Sequence, residues 1–341
     1  MPKLLFHEFE LPLKHVFAIS RGSIAVQPTL VVELTDGARH GFGEATTNAY
    51  YGATLAGMRA SLEAVRHRIE AAADVEPSQF WSQVASHLEH DSFAQCALDQ
   101  AAWDLRGKQQ GAPLHKLWGL NPHDAPQSSY TIGITPLDVM VAKLHEAPGW
   151  PSYKIKLGVA NDLDVIRELR RHTTVPFRVD ANCGWTVDEA IDKSRALVEL
   201  NVEFIEQPLP ANDWSGAHRL FVESALPIIA DESCRREADV ERCHGAFHGI
   251  NIKLVKCGGL TPARRMIDRA RTLGLRTMLG CMTESTVGIS AVAQLLPLVD
   301  YADVDGAALL ARDIASGVQV DRGLCYFPNA KGSGVCLLEA Q

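Results

Sequence analysis

The chain has 341 residues, 46% hydrophobic and 22% charged, a balance that excludes intrinsic disorder and collagen-like structure. Its 33 basic and 41 acidic side chains give a formal charge of −8, and no basic run stands out. Binding many phosphates needs concentrated positive charge, so nucleic acid is excluded as the main partner. No window approaches the ~20 apolar residues of a membrane span, and MPKLLFHEFELPLKHVF at the N-terminus does not read as a signal peptide.

Residues 1–120 read as an α+β domain. LLFHEFELPL (4–13) and TLVVELTDGARHGFGEA (29–45) alternate like antiparallel strands, with Asp36-Gly37 at a turn. Helical patterns follow at 53–75 and 92–110. Residues 121–317 then repeat. Short β-rich runs recur as YTIGI (130–134), YKIKLG (153–158), FRVDAN (177–182), FIEQP (204–208), IIADES (228–233), INIKLVKCGG (250–259), TMLGCM (277–282) and YADVDG (301–306). Marked at Thr131, Lys156, Asp180, Glu206, Asp231, Lys256, Cys281 and Asp305, they step by 24 to 26 residues. That is the length of one strand, one helix and their loops, so eight units predict an α/β fold of the (β/α)8, TIM-like barrel type. The tail, 318–341, makes no ninth unit and is expected to return to the first domain.

Between the strands lie helix signals. Thr186 and Glu189 have capping-box spacing ahead of Ala190, Ile191, Leu197 and Leu200. Thr261 reads as an N-cap, Pro262 as the first helical residue and Gly274 as the residue just past the helix end. The eight cysteines include no C-x-x-C pair and read as reduced thiols of a cytoplasmic protein.

Active sites of such barrels lie at the carboxyl ends of the strands. Asp180, Glu206 and Asp231 end the third, fourth and fifth strands. Three carboxylates converging there repel one another unless a cation joins them, and an all-oxygen set suits Mg²⁺, one per subunit. Asn182 and Glu232 are adjacent candidates to support that set. Lys156 on strand two and Lys256 on strand six fall on opposite sides of an eight-stranded ring. Lys154, two residues before Lys156, shares its strand face and is expected to lower its pKa by like-charge repulsion. Lys253, three residues before Lys256, would face the other way on a regular strand; the choice of Lys256 rests on its place in the repeat and on the following Gly258-Gly259, which opens the strand end. A metal between two opposed bases suits removal of a proton α to a carboxylate and its return to the opposite face.

YKIKLG, RVDAN, IEQP, ADES and NIKLVKCGG, in this order, resemble the muconate-lactonising branch of the enolase superfamily. GFGEA (41–45) and ALDQAAWDLRGK (97–108) resemble its capping domain. The resemblance implies a lid over the barrel mouth, Mg²⁺ on Asp180, Glu206 and Asp231, and Lys156 and Lys256 as the acid/base pair. Asp303-Val304-Asp305 places two acids on one strand face, suited to an ammonium group. This D-x-D resembles that of the branch's dipeptide epimerases, where it binds the N-terminal ammonium of a dipeptide. Arg21 in SRGS resembles the arginine that Ala-Glu epimerases use for the glutamate side chain. The tyrosines of Thr47-Asn48-Ala49-Tyr50-Tyr51-Gly52 instead favour a larger or apolar side chain.

Thr131, Lys154, Cys281 and Met282 are further pocket candidates. The implied protein is an isomerase, a Mg²⁺-dependent dipeptide epimerase acting at the C-terminal residue, with L-Ala-D/L-Glu as the candidate substrate, and expected to be a homo-oligomer. The alternative is o-succinylbenzoate synthase or N-acylamino acid racemase chemistry on the same machinery.

Overall fold

The computed structural model describes residues 2–72 and 75–339. Three antiparallel strands open the chain: β1 (Lys3–Ile19), β2 (Gly22–Thr35) and β3 (His40–Thr46). The turn into β3 contains Gly37 at φ +92°, a conformation glycine adopts without strain. Helices follow at Leu55–Ala64, Arg66–Ala72, Pro77–Val84 and Ser92–Gln110. Positions 73 and 74 of the 53–75 helical pattern lie outside the described residues.

Eight parallel strands form the barrel: β4 (Tyr130–Ile132), β5 (Tyr153–Lys156), β6 (Phe177–Asp180), β7 (Val202–Glu206), β8 (Ile228–Ala230), β9 (Gly249–Lys253), β10 (Arg276–Gly280) and β11 (Tyr301–Asp303). They pair in chain order, and a bridge from Ser128 to Ala302 joins the last strand to the first. Each predicted run contains or overlaps its strand. The eighth unit departs from the pattern. After β11 comes only a short 3₁₀ turn, Gly306–Leu309, where the repeat predicted a helix. The chain then runs back over the first domain, where Ser333 N and Oγ donate to Asp104 Oδ1 at 2.8 and 2.9 Å. Among the described residues no helix is long and apolar enough to cross a membrane.

The expected capping box is present at Thr186 and Glu189, and Gly274 follows its helix at φ +72°. Thr261 behaves differently. The helix begins at Leu260, and the Thr261 N–H and hydroxyl donate to Asp99 of the first domain at 2.8 and 2.7 Å. Glu44 acts in the same way on the helix Thr286–Ala293, accepting from Ser285 N, Ser285 Oγ and Gly288 N at 3.1, 2.5 and 2.9 Å. The first domain therefore supplies carboxylates that satisfy the exposed N–H groups of two barrel helices.

These bonds hold the β1–β2 hairpin over the barrel mouth. Ile134 N donates to Ala18 O at 2.8 Å, and Ala311 N to Pro12 O at 2.8 Å. The hairpin comes so close to the end of β4 that a Cβ on Gly133 would lie 2.8 Å from Ala18 O.

Candidate active site

Strand register builds the site. Pairing places Lys156 beside Asp180, and Asp180 beside Glu206. Asp231 follows directly after β8. Asp180, Glu206 and Asp231 are buried, and each offers an oxygen within 4.8 Å of the others. Asn251 Nδ2 donates to Glu206 Oε1 at 2.8 Å, and Glu206 Oε2 faces the Lys154 ammonium at 2.7 Å. Mg²⁺ takes an all-oxygen donor set, so three buried carboxylates whose oxygens converge within 4.8 Å of one another fit that ion.

Four ammonium groups surround the triad. Lys154 Nζ lies 2.7 Å from Asp303 Oδ2, 2.7 Å from Glu206 Oε2 and 3.4 Å from Asp180 Oδ2. Lys156 Nζ is 2.6 Å from Asp180 Oδ2. Lys253 Nζ is 2.8 Å from Asp231 Oδ2, and Lys256 Nζ is 2.5 Å from Asp231 Oδ1. Burial pushes the Asp180 and Asp231 carboxyls upward, but the adjacent lysines outweigh it and hold both below the usual range. Burial opposes the charge of Lys154 too, yet Asp303 and Glu206 raise its pKa well above normal. Its charge is thus locally compensated by three carboxylates.

A cavity of about 400 Å³ opens above these groups and reaches Thr131, Lys154, Lys156, Asn182, Asp231, Glu232, Lys253, Cys281, Met282, Asp303, Asp305 and Arg21. Asp303 Oδ1 accepts from Ser129 Oγ at 3.0 Å. Asp305 accepts from Thr131 N at 2.6 Å and Thr131 Oγ1 at 3.1 Å. Burial and the neighbouring Asp303 raise Asp305 to about 7.

Comparison with known proteins now decides the family. Models described as "Mandelate racemase / muconate lactonizing enzyme, N-terminal domain" and "Enolase C-terminal domain-like" match residues 6–119 and 139–341. The chain belongs to the enolase superfamily. It is 53% identical to the L-Ala-D/L-amino acid epimerase of Flavobacterium johnsoniae, over 98% of this chain and 100% of that one. It is 54% identical to the enzyme of the same name from a Maribacter species, over 97% and 98%. A solved dipeptide epimerase from Enterococcus faecalis, in complex with Mg and L-Leu-L-Tyr, superposes with a TM-score of 0.90 at 28% identity, covering 98% of both chains.

Lys256, which the repeat placed at the end of the sixth barrel strand, lies beyond the end of that strand, β9. This strand ends at Lys253, and Leu254–Cys257 is a helical turn. The turn carries Lys256 away from the cavity. Its Nζ is enclosed by Asp231 O, Asn251 O and Cys234 O at 2.6, 2.9 and 3.0 Å, beside Asp231 Oδ1, and its side chain is 1% exposed. An ammonium has three N–H donors, and these acceptors use all of them. Lys253 lines the cavity in its place. A signal was available: Asn251 and Lys253 have the same i, i+2 spacing as Lys154 and Lys156, so both pairs present two side chains to the barrel interior.

Sequence reasoning also missed Gln207, whose side-chain oxygen accepts from Asp231 N and Ser233 N at 2.9 and 3.0 Å and fixes the loop bearing Asp231.

Proposed function

We propose that the chain is a Mg²⁺-dependent dipeptide epimerase that inverts the α-carbon of the C-terminal residue, with Lys156 and Lys253 as the acid/base pair. The observation that carries this reading is their placement. β5 and β9 are four strands apart in a ring of eight, so the two ammonium groups enter one cavity from opposite sides of the carboxylate triad. The names of the relatives and the E. faecalis complex support the substrate class. All the residues involved come from one chain. The eight unpaired cysteines are in keeping with a cytoplasmic setting.

Asp180, Glu206 and Asp231 would hold the cation. Bound there, Mg²⁺ supplies neutralisation of the charge that develops on the substrate carboxylate as the α-proton leaves. One lysine, as the free amine, accepts that proton on its nitrogen. The opposed lysine, as the ammonium, donates a proton to the other face of the carbon. One C–H bond breaks, another forms, and handedness inverts. Asp180 and Asp231, which would hold the cation, are also the ion-pair partners of Lys156 and Lys253 at 2.6 and 2.8 Å. Asp303 and Asp305 provide the anionic end that would receive the substrate ammonium, an arrangement with no evident use for an N-acylated substrate.

Incubation of L-Ala-L-X dipeptides in D₂O with Mg²⁺ is expected to show α-proton exchange at the C-terminal residue and accumulation of the L,D epimer by NMR. Chelation of the metal stops both. Absence of exchange with every dipeptide would refute the reading.

The ionised form of Asp305 attracts the ammonium, and with a value of about 7 it becomes protonated as the pH falls through neutrality. KM for dipeptides should therefore rise toward pH 6. Asp305→Asn should raise KM at pH 8 by roughly tenfold or more, consistent with loss of a charge-assisted bond, and flatten this pH dependence. A wild-type KM that is unchanged between pH 8 and 6 would argue against the role.

A further inference from the structure

The lid hairpin carries Arg21 to the cavity mouth, where protein groups already engage it. Its Nη2 donates to Glu232 Oε1 at 2.6 Å, and its Nη1 to Asn182 O at 2.7 Å. Asn182 lies in the loop after β6, and Glu232 in the loop after β8. The Tyr50 ring covers one face of the guanidinium, with 4.4 Å from Cζ to the ring centroid. Tyr50 meets Tyr51 edge-on at 4.9 Å, and Arg235 lies 4.8 Å over Tyr51. The series Arg21, Tyr50, Tyr51, Arg235 joins the hairpin tip to the second lid segment and to the loop after β8.

Charge decides what this wall can receive. The single positive charge of Arg21 has a carboxylate in contact, and the other oxygen of that carboxylate, Glu232 Oε2, is buried without any donor. A substrate carboxylate brought here meets a guanidinium already paired with a carboxylate and an acidic oxygen that offers it no donor. The neighbouring wall residues Phe17, Ile19 and Ile24 are apolar. With the substrate ammonium at β11 and its carboxylate at the ends of β6–β8, the C-terminal side chain faces this wall.

We propose that Arg21 is a positioning residue that latches the lid, not a receptor for a substrate carboxylate, and that the cavity selects dipeptides with an uncharged C-terminal side chain. The proposal rests on the dipeptide-epimerase reading and adds to it the side-chain class and the residue that closes the lid over it.

The test uses the whole Mg²⁺-loaded protein and three substrates, L-Ala-L-Leu, L-Ala-L-Gln and L-Ala-L-Glu. Gln and Glu share a shape and differ in charge. The wild type is expected to turn over the Leu and Gln dipeptides with kcat/KM about tenfold or more above Glu, the discrimination a misplaced charge produces. Arg21→Met should lower kcat/KM for all three, by roughly tenfold for the Leu and Gln dipeptides, as loss of lid closure does, and by more for the Glu dipeptide, which then meets a Glu232 carboxylate without its partner. Glu232→Gln, which releases the guanidinium, should narrow the Gln/Glu ratio.

A loss in Arg21→Met confined to the Glu dipeptide overturns the proposal, and so does a wild type that prefers Glu. Amide hydrogen exchange provides a readout independent of turnover. Residues 19–24 and 47–51 should exchange faster in Arg21→Met, with the barrel strands unchanged. Unaltered lid protection overturns the latch. If no dipeptide is turned over, the epimerase reading fails, while the lid amides still decide whether Arg21 is a latch.

Discussion

Replacing Lys253 with alanine is expected to abolish epimerisation while sparing α-proton exchange in one of the two epimers, and Lys156→Ala should spare the opposite one. In a reaction with two opposed bases, each lysine serves a single face of the carbon. Removing one leaves the other able to take a proton from its own side and return it there, which exchanges deuterium without inverting the centre. Loss of a positioned acid/base typically slows the step by about 10²–10⁴-fold. Lys256 should behave differently, since its ammonium is enclosed by main-chain carbonyls and Asp231 Oδ1. Lys256→Met should affect exchange of both epimers alike, because it acts through Asp231 and not on either face of the substrate. The measurement is the exchange rate of purified L,L and L,D dipeptides in D₂O, followed by NMR for each variant. Loss of a single epimer in Lys256→Met, with both retained in Lys253→Ala, would return the base role to Lys256.

That reassignment shows how far the sequence can be read. The barrel is legible because its strands must bury their side chains and recur at the length of one strand–helix unit, so a constant step marks all eight. The acidic triad is legible because inward carboxylates on three successive strands need a common partner. Lys256 falls outside the cavity because the repeat marks positions only to within a few residues. A strand that turns into a helical segment after Lys253 shifts the residue facing the cavity by three. The missing eighth helix has the same origin, since periodicity predicts a unit whose space the returning tail uses. Arg21 was visible as a loop arginine, but its closed pair with Glu232 joins residues 211 positions apart. Long-range pairings of that kind, like those of Asp99 with Thr261 and Glu44 with Ser285, leave no local pattern to read.

Lys154 supports the largest expected effect on stability. Its ammonium touches Asp303 and Glu206 and lies 3.4 Å from Asp180, with the side chain 2% exposed. Lys154→Met retains most of the volume and removes the charge, leaving three carboxylates around an apolar side chain. Breaking a buried ion pair on one side typically costs about 3–5 kcal/mol, and the like-charge repulsion left behind acts in the same direction. The folded protein can relieve the strain by taking up protons, and Glu206, already raised by burial and by Asp180, is the first group placed to do so.

The sign follows from linkage. A carboxyl whose folded pKa is raised above its unfolded value near 4 binds more protons folded than unfolded between those values. The penalty is then present in full above the folded pKa and fades as the pH falls through it. The difference in unfolding free energy between wild type and Lys154→Met should therefore be largest at pH 8 and smaller at pH 6. Mg²⁺ should also shrink it, because a divalent cation neutralises two of the same three carboxylates. Denaturant titrations at both pH values, with and without Mg²⁺, measure these differences. A loss below about 1 kcal/mol at pH 8, or one equally large at pH 6, would mean that the charge of Lys154 is not what holds these acids together.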